Sequence, residues 1–203
     1  MVVIGIAGGS GTGKSTIAAH VARRYGGVHI DADRVAHAVL EDAAVAAAIR
    51  REFGDDVIDL DGSVNRRRLG VRVFSDAARR AALNAIVHPA VIARCGAEVA
   101  AARERGDRVA VVDAALLLEV AMAFIFDLTI ALRCETSVRL ARLMAKGGGW
   151  SEAELRARLA AQADLEKHFY KADAVVDTEP ALERVLEQVE HLVDATLESE
   201  TQQ

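Results

Sequence analysis

Cysteine is scarce in this chain of 203 residues: there are two, Cys95 and Cys134, and neither belongs to a CxxC pair or a zinc-like histidine pattern. That excludes a disulfide framework and gives no sign of structural zinc. The expectation is two buried thiols in a reducing compartment. Aromatic residues make up only 4% of the chain. So few aromatics, beside abundant alanine, favour packed helices over an all-β fold. No apolar run approaches the length of a membrane span, about 20 residues. No charged leader precedes the first apolar segment at Val2. Basic residues do not dominate either: 25 Lys and Arg stand against 30 Asp and Glu, a net charge of −5. A nucleic-acid-coating surface is therefore not expected. No internal repeat is visible. What remains is a globular composition, 52% hydrophobic and 27% charged. It is long enough for one domain with an inserted lobe. The expectation is a cytoplasmic monomer without nucleic-acid or membrane partners.

Against these absences, glycine is concentrated in one place. The stretch Gly5 to Thr16 reads GIAGGSGTGKST and contains Gly8-x-x-x-x-Gly13-Lys14-Ser15, the P-loop pattern. By composition such a match arises by chance in roughly one per cent or less of chains this size. The apolar run Val2 to Ile6 before it reads as a buried strand, and Ser15 to Tyr25 after it as a helix. Strand, glycine loop and helix form the context the motif requires. The chemistry follows from residue types. Glycines allow left-handed backbone that turns consecutive N–H groups inward around an anion. The positive end of the helix points at the same spot. Gly9, Gly11, Thr12, Gly13, Lys14, Ser15 and Thr16 are the expected ATP-binding residues. Lys14 can reach the β- and γ-phosphates, and the Ser15 hydroxyl can ligate Mg²⁺.

The rest of the chain supplies candidates for the other half of a phosphoryl transfer. A short strand at Val28–Ile30 leads to Asp31-Ala32-Asp33. If that segment is extended, Asp31 and Asp33 share a face beyond the strand's carboxyl end, where ligands of parallel sheets bind. One acid can take the proton of an attacking hydroxyl and the other can orient a sugar or help hold Mg²⁺; either can instead cap the helix expected near Arg34. The block 34–106 reads as helical, with a break near Glu41, a turn at Asp61-Gly62 and a new helix opened by Pro89. It is expected to be an inserted lobe. Arg66-Arg67-Arg68 reads as a solvated face or a phosphate partner, and His88 as a structural histidine. The strand Arg108–Asp113 ends in an acid, as the Mg²⁺-holding strand of P-loop proteins does. Glu119 closes the following apolar run, either as an acceptor contact or as a helix-surface acid. From 136 to about 168, two helices flank Gly147-Gly148-Gly149 and carry Arg139, Arg142, Lys146, Arg156 and Arg158. A capping box at Ser151 and Glu154 opens the second helix. Basic helices around a glycine hinge read as a lid that closes on ATP and excludes water, or as ordinary basic surface. A last strand, Ala174–Asp177, precedes an amphipathic helix from Pro180 to Leu197 with a stripe that includes Leu182, and then a frayed tail.

In order and spacing, these pieces resemble the dephospho-CoA kinase family over nearly the whole chain. The matching residues are GGSGTGKST, Asp31-Ala32-Asp33, Phe53-Gly54, Asp61-Gly62 with Arg66 and Leu69, and Val73-Phe74-Ser75-Asp76. The match continues through His88-Pro89, Leu116-Leu117 with Glu119, Arg142-Leu143, Arg158 with Gln162, and Ala172 to Val176. The resemblance implies an α/β fold, a P-loop parallel sheet flanked by helices with a helical acceptor lobe and a helical lid. It implies transfer of the ATP γ-phosphoryl, with Mg²⁺, to the ribose 3′-hydroxyl of dephospho-CoA, a small-molecule partner. It makes Asp33 the general base, Lys14 and Ser15 the ATP and Mg²⁺ residues, Arg142 the lid arginine and Arg158 a second basic contact. Asp31, Arg66, His88, Leu116, Leu117 and Glu119 fall where the acceptor binds.

The pattern is broken at Ala115 and Leu118 around the paired leucines, at Lys146 in the lid, and at Thr178-Glu179-Pro180 after the last strand. Lys146 in place of arginine loses a bidentate fork. The glycine loop alone also fits uridine-kinase-like enzymes acting on another alcohol or nucleoside. A non-catalytic nucleotide module is a third reading, though Lys14, Ser15, Asp31 and Asp33 are all retained.

Overall fold

The fold is taken from a computed structural model that describes residues 1–74, 76–115, 117–118, 126–147 and 149–201. The chain divides into two compact units, one of residues 1–31 and 99–203, the other of 32–98.

The first unit is a five-stranded sheet in the order β2-β3-β1-β4-β5. Its strands are β1 (Val2–Gly8), β2 (Val28–Asp31), β3 (Val109–Ala114), β4 (Leu128–Arg133) and β5 (Ala174–Asp177). Every pairing is parallel, with Ile4 opposite Val111 and Leu128, and Asp31 opposite Asp113. Parallel strands need crossovers and are buried on both faces, which is why β1 and β3 read as unbroken apolar runs rather than alternating ones. Both are buried from end to end. Helices α1 (Lys14–Tyr25) and α8 (Leu182–Thr201) cover the sheet. Ile17, Ala18 and Val21 of α1 and Val185, Val189 and Val193 of α8 pack with Ile4, Ile6, Ile130 and Leu132 in one core. Each large aliphatic side chain so buried contributes about 1.5–3 kcal/mol. Leu182 is not part of this stripe: it is exposed, one turn before the first buried valine, and the helix runs through the expected frayed tail as far as Thr201.

The same unit contains α6 (Thr136–Lys146) and α7 (Glu152–Ala160), joined around Gly147 and Gly149. Leu140, Leu155 and Leu159 form a small core between them. The capping box is present: the Ser151 hydroxyl accepts from the Glu154 N–H, and the Glu154 carboxylate accepts from the Ser151 N–H at 2.8 Å.

The second unit holds α2 (Ala32–Ala38), α3 (Ala43–Phe53) and α4 (Arg66–Phe74). The 29-residue α5 (Ala77–Arg105) begins in it and ends in the first unit. Asn65 caps α4 by accepting the Arg68 N–H at 2.9 Å, and Asp76 caps α5 by accepting the Arg79 N–H at 3.0 Å. Val45, Ile49, Phe53, Val57 and Leu69 are buried here. Two expectations fail in this unit. Asp31 and Asp33 do not lie on one extended segment: Asp31 ends β2 and Asp33 already sits in the first turn of α2. Pro89 does not open a helix but lies inside α5. The helix continues through it because Val87, Val91 and Cys95, four residues apart, form one buried stripe across the proline. An 18-residue window of α5 has a mean hydropathy of 1.3, enough by length and composition alone for a membrane crossing. Only 22% of that window is buried, and His88, Pro89 and Arg94 lie within the helix.

Candidate active site

In an all-parallel sheet every strand ends at the same edge. Here that edge gathers Gly8, Asp31, Asp113, Arg133 and Asp177, each at or next to the end of its strand. The glycine loop leaves β1 at the middle of this edge and enters α1 at Lys14. Gly11 and Gly13 have φ of +83° and +93°, in the left-handed region that side chains avoid. The loop is closed from inside. The Thr12 hydroxyl donates to the Gly9 carbonyl at 2.8 Å, and the Thr12 N–H to the same oxygen at 3.3 Å. Lys14 is buried, and its Nζ also donates to Gly9 O, at 3.3 Å. The N–H groups of Gly11 and Gly13 have no acceptor among the described residues, as expected of an anion cradle. Ser15 and Thr16 are exposed on the first turn of α1.

Asp113, at the end of β3, is only 2% exposed and lies against Ser15. Burial pushes its carboxyl up, but His29, the Ser15 hydroxyl and the Lys14 charge outweigh this and hold it below the usual carboxylate range. His29 Nε2 stands 3.4 Å from Asp113 Oδ1. Asp113 Oδ2 is buried without a hydrogen-bond partner. A hydroxyl and an ionised carboxylate side by side, with one carboxylate oxygen unclaimed, fit a hydrated Mg²⁺. From the sequence this acid was only one strand-end Asp among several. What distinguishes it is its contact with Ser15, which requires β3 to lie beside β1.

The sheet edge continues into a cavity of about 500 Å³. Its lining includes Cys134, Glu135, Arg139, Gln162, Asp177 and Glu179. The expected lid residues do not all meet at the loop. Arg142 is turned to the end of β5, donating to Thr178 O at 2.6 Å and to the Cys134 thiol at 3.6 Å. Arg158 is exposed on α7 without a partner among the described residues. Of the arginines expected in a lid, Arg139 touches the loop, with Nε 2.8 Å from Ser10 O.

Among the residues expected at the acceptor, Arg66 donates to His37 O at 3.1 Å and pairs with Glu41 at 3.5 Å. Arg68 is bound to Asp56 and Asp59, so only Arg67 of the arginine run lacks a partner among the described residues. His88 is half-buried on α5, and Asp33 is exposed. Leu117 is corrected: it is 0% exposed and packs by Gly5 beneath β1, so its side chain is core and cannot present itself to an acceptor. Leu116 and Glu119 lie outside the described residues. Both cysteines are buried and free.

The family model for dephospho-CoA kinase matches residues 2–183. The chain belongs to the dephospho-CoA kinase family. A dephospho-CoA kinase of Streptomyces avermitilis is 41% identical over 187 residues, 91% of this chain and 89% of the relative. That of Leifsonia xyli is 40% identical over 194 residues, 95% and 97% of the two chains. Among solved structures, TT1252 of Thermus thermophilus superposes with a TM-score of 0.78 at 29% identity, covering 96% of each chain. Membership makes the chain a P-loop kinase, a class that uses ATP, with the family model covering almost the full length.

Proposed function

We propose that this chain transfers the γ-phosphoryl of ATP to the ribose 3′-hydroxyl of dephospho-CoA, giving coenzyme A. The observation that carries this reading is the family match over residues 2–183 together with an intact phosphate loop whose Ser15 meets a buried acid. Lys14 and the Gly11 and Gly13 N–H groups hold the phosphates, and the cavity by Cys134 and Glu179 takes the nucleoside. Ser15 and Asp113 would hold Mg²⁺, which when bound neutralises charge on the β- and γ-phosphates.

Asp33, two residues beyond the end of β2, takes the proton of the attacking hydroxyl. Residues 34–106 are the acceptor lobe, where Arg66 and His88 contact dephospho-CoA, with Asp31 contributing from the end of β2 and Leu116 and Glu119 from the segment after β3. Leu117 supports that segment from the core. Residues 136–168 are the lid, in which Arg158 reaches ATP and Arg142 does so by exchanging its Thr178 bond for one to the nucleotide. The enzyme works in the cytoplasm as a monomer.

ADP release measured with dephospho-CoA against a panel of nucleosides tests the acceptor. Faster turnover of any nucleoside would replace this reading with that of a nucleoside kinase. Asp33→Asn is expected to bind ATP normally while turnover falls by about 10² or more. Near-normal turnover would remove Asp33 from the base role.

A further inference from the structure

Arg139 is a charged lid residue that lies buried beside the glycine loop. It stands on α6 and is 6% exposed. Its Nε donates to Ser10 O at 2.8 Å and its Nη2 to Gln162 Oε1 at 3.1 Å. The same Gln162 oxygen accepts the Ser10 N–H at 2.8 Å. Both backbone polar groups of Ser10 thus end on this pair, one from each arm of the lid segment. The guanidinium lies against Gly9, where a β-carbon would collide with Nη2 and stand 2.7 Å from Cζ.

The electrostatics of this placement are one-sided. Burial lowers the pKa of the guanidinium, with Cys134 and Glu166 opposing; it stays cationic nonetheless. No carboxylate lies within 4 Å of it among the described residues. Its acceptors are two neutral oxygens, and three of its five N–H donors have none among the described residues. A desolvated cation without a counter-ion is costly to keep. It stands beside the glycine loop, facing a cavity of about 500 Å³ that it helps to line.

We propose that Arg139 is a further ATP-binding residue, one that contacts the phosphate chain and is held in position for it by Ser10 and Gln162. The chemistry it recognises is an oligophosphate anion, which its planar fork of donors suits better than a lysine would. Ser10 and Gln162 fix the guanidinium before the anion arrives, so little side-chain freedom remains to be lost on binding. This rests on the reading that the glycine loop binds ATP.

Calorimetric titration of the full chain with ATP, tripolyphosphate and adenosine tests it. Arg139→Ala should weaken ATP and tripolyphosphate by about 10- to 100-fold and leave adenosine unchanged. Arg139→Lys should recover part of the loss by restoring charge without the fork. Gln162→Ala keeps the charge and removes one positioning bond, so its loss should be smaller than that of Arg139→Ala. Unchanged ATP affinity in Arg139→Ala, or an equal loss for adenosine, would overturn the assignment. So would equal losses in Arg139→Ala and Gln162→Ala, which would reduce the arginine to a structural strut. Lys14→Ala separates the two readings. If it binds ATP like the wild type, the loop assignment itself fails. If it loses ATP while Arg139→Ala does not, only the Arg139 proposal fails.

Discussion

At the residue scale, Gly9 and Gly11 are glycines for different reasons. Gly11 has a φ of +83°, and a β-carbon there would stand 2.7 Å from the Arg139 carbonyl, so both its own backbone and a neighbouring backbone forbid a side chain. Gly9 has no positive φ; it is constrained only by the Arg139 guanidinium, the far end of a side chain that can shift. Gly11→Ala is therefore expected to abolish ATP turnover, and Gly9→Ala to raise the KM for ATP while leaving the fold intact, as steady-state kinetics and circular dichroism would show. Equal effects of the two would contradict this distinction. Tyr25 offers a separate test away from the site. Burial first, and then the carboxylates of Asp194 and Glu190, push its pKa up to about 12, and its hydroxyl donates to Glu190 O at 3.1 Å. A group raised from about 10 to about 12 contributes stability that is fully present below pH 10 and is lost as the pH climbs through 12. Wild-type stability, followed by denaturant midpoint, should fall across that window, and Tyr25→Phe should flatten the fall.

At the element scale, α5 carries the clearest conflict between local preference and packing. A proline inside a helix removes one N–H bond and crowds the preceding turn, at a cost of about 3 kcal/mol. The helix nevertheless runs unbroken over 29 residues past Pro89, held by the buried faces of Val87, Val91 and Cys95. Pro89→Ala should stabilise the protein by about 1–3 kcal/mol, read from denaturant unfolding. A destabilised variant would mean that the proline serves packing that alanine cannot replace. Helix α6 teaches the complementary lesson. Arg139 and Arg142 are one turn apart and read as the same basic face. One goes to the glycine loop and the other to Thr178, because α6 follows β4, which lies between β1 and β5 in the sheet.

At the scale of the whole molecule, the proposed reaction divides the ligands between the two compact units. ATP at about 100 times its Kd should slow amide exchange by up to about 100-fold in the glycine loop and around Arg139 and Gln162, equivalent to about 2.7 kcal/mol. Dephospho-CoA should protect residues 32–98 instead. Protection of 32–98 by ATP alone, or none by dephospho-CoA, would dissociate that unit from acceptor binding.

The glycine loop, its flanking strand and helix, the five apolar strands and the Ser151–Glu154 cap were all legible in the sequence. Each is a local matter of backbone freedom, periodicity or a hydrogen bond three residues away. Those local patterns determined that the protein binds phosphate on a parallel sheet. They could not determine which strand-end acid matters, because Asp113 meets Ser15 only through the pairing of β3 with β1, about a hundred residues apart in sequence. Nor could they show that Leu117 is core, or that Arg139 rather than Arg142 reaches the loop. These depend on which surfaces meet, and one turn of helix or one neighbouring strand reverses the answer. Chain-local chemistry set the loop, and the tertiary structure chose the side chains that surround it.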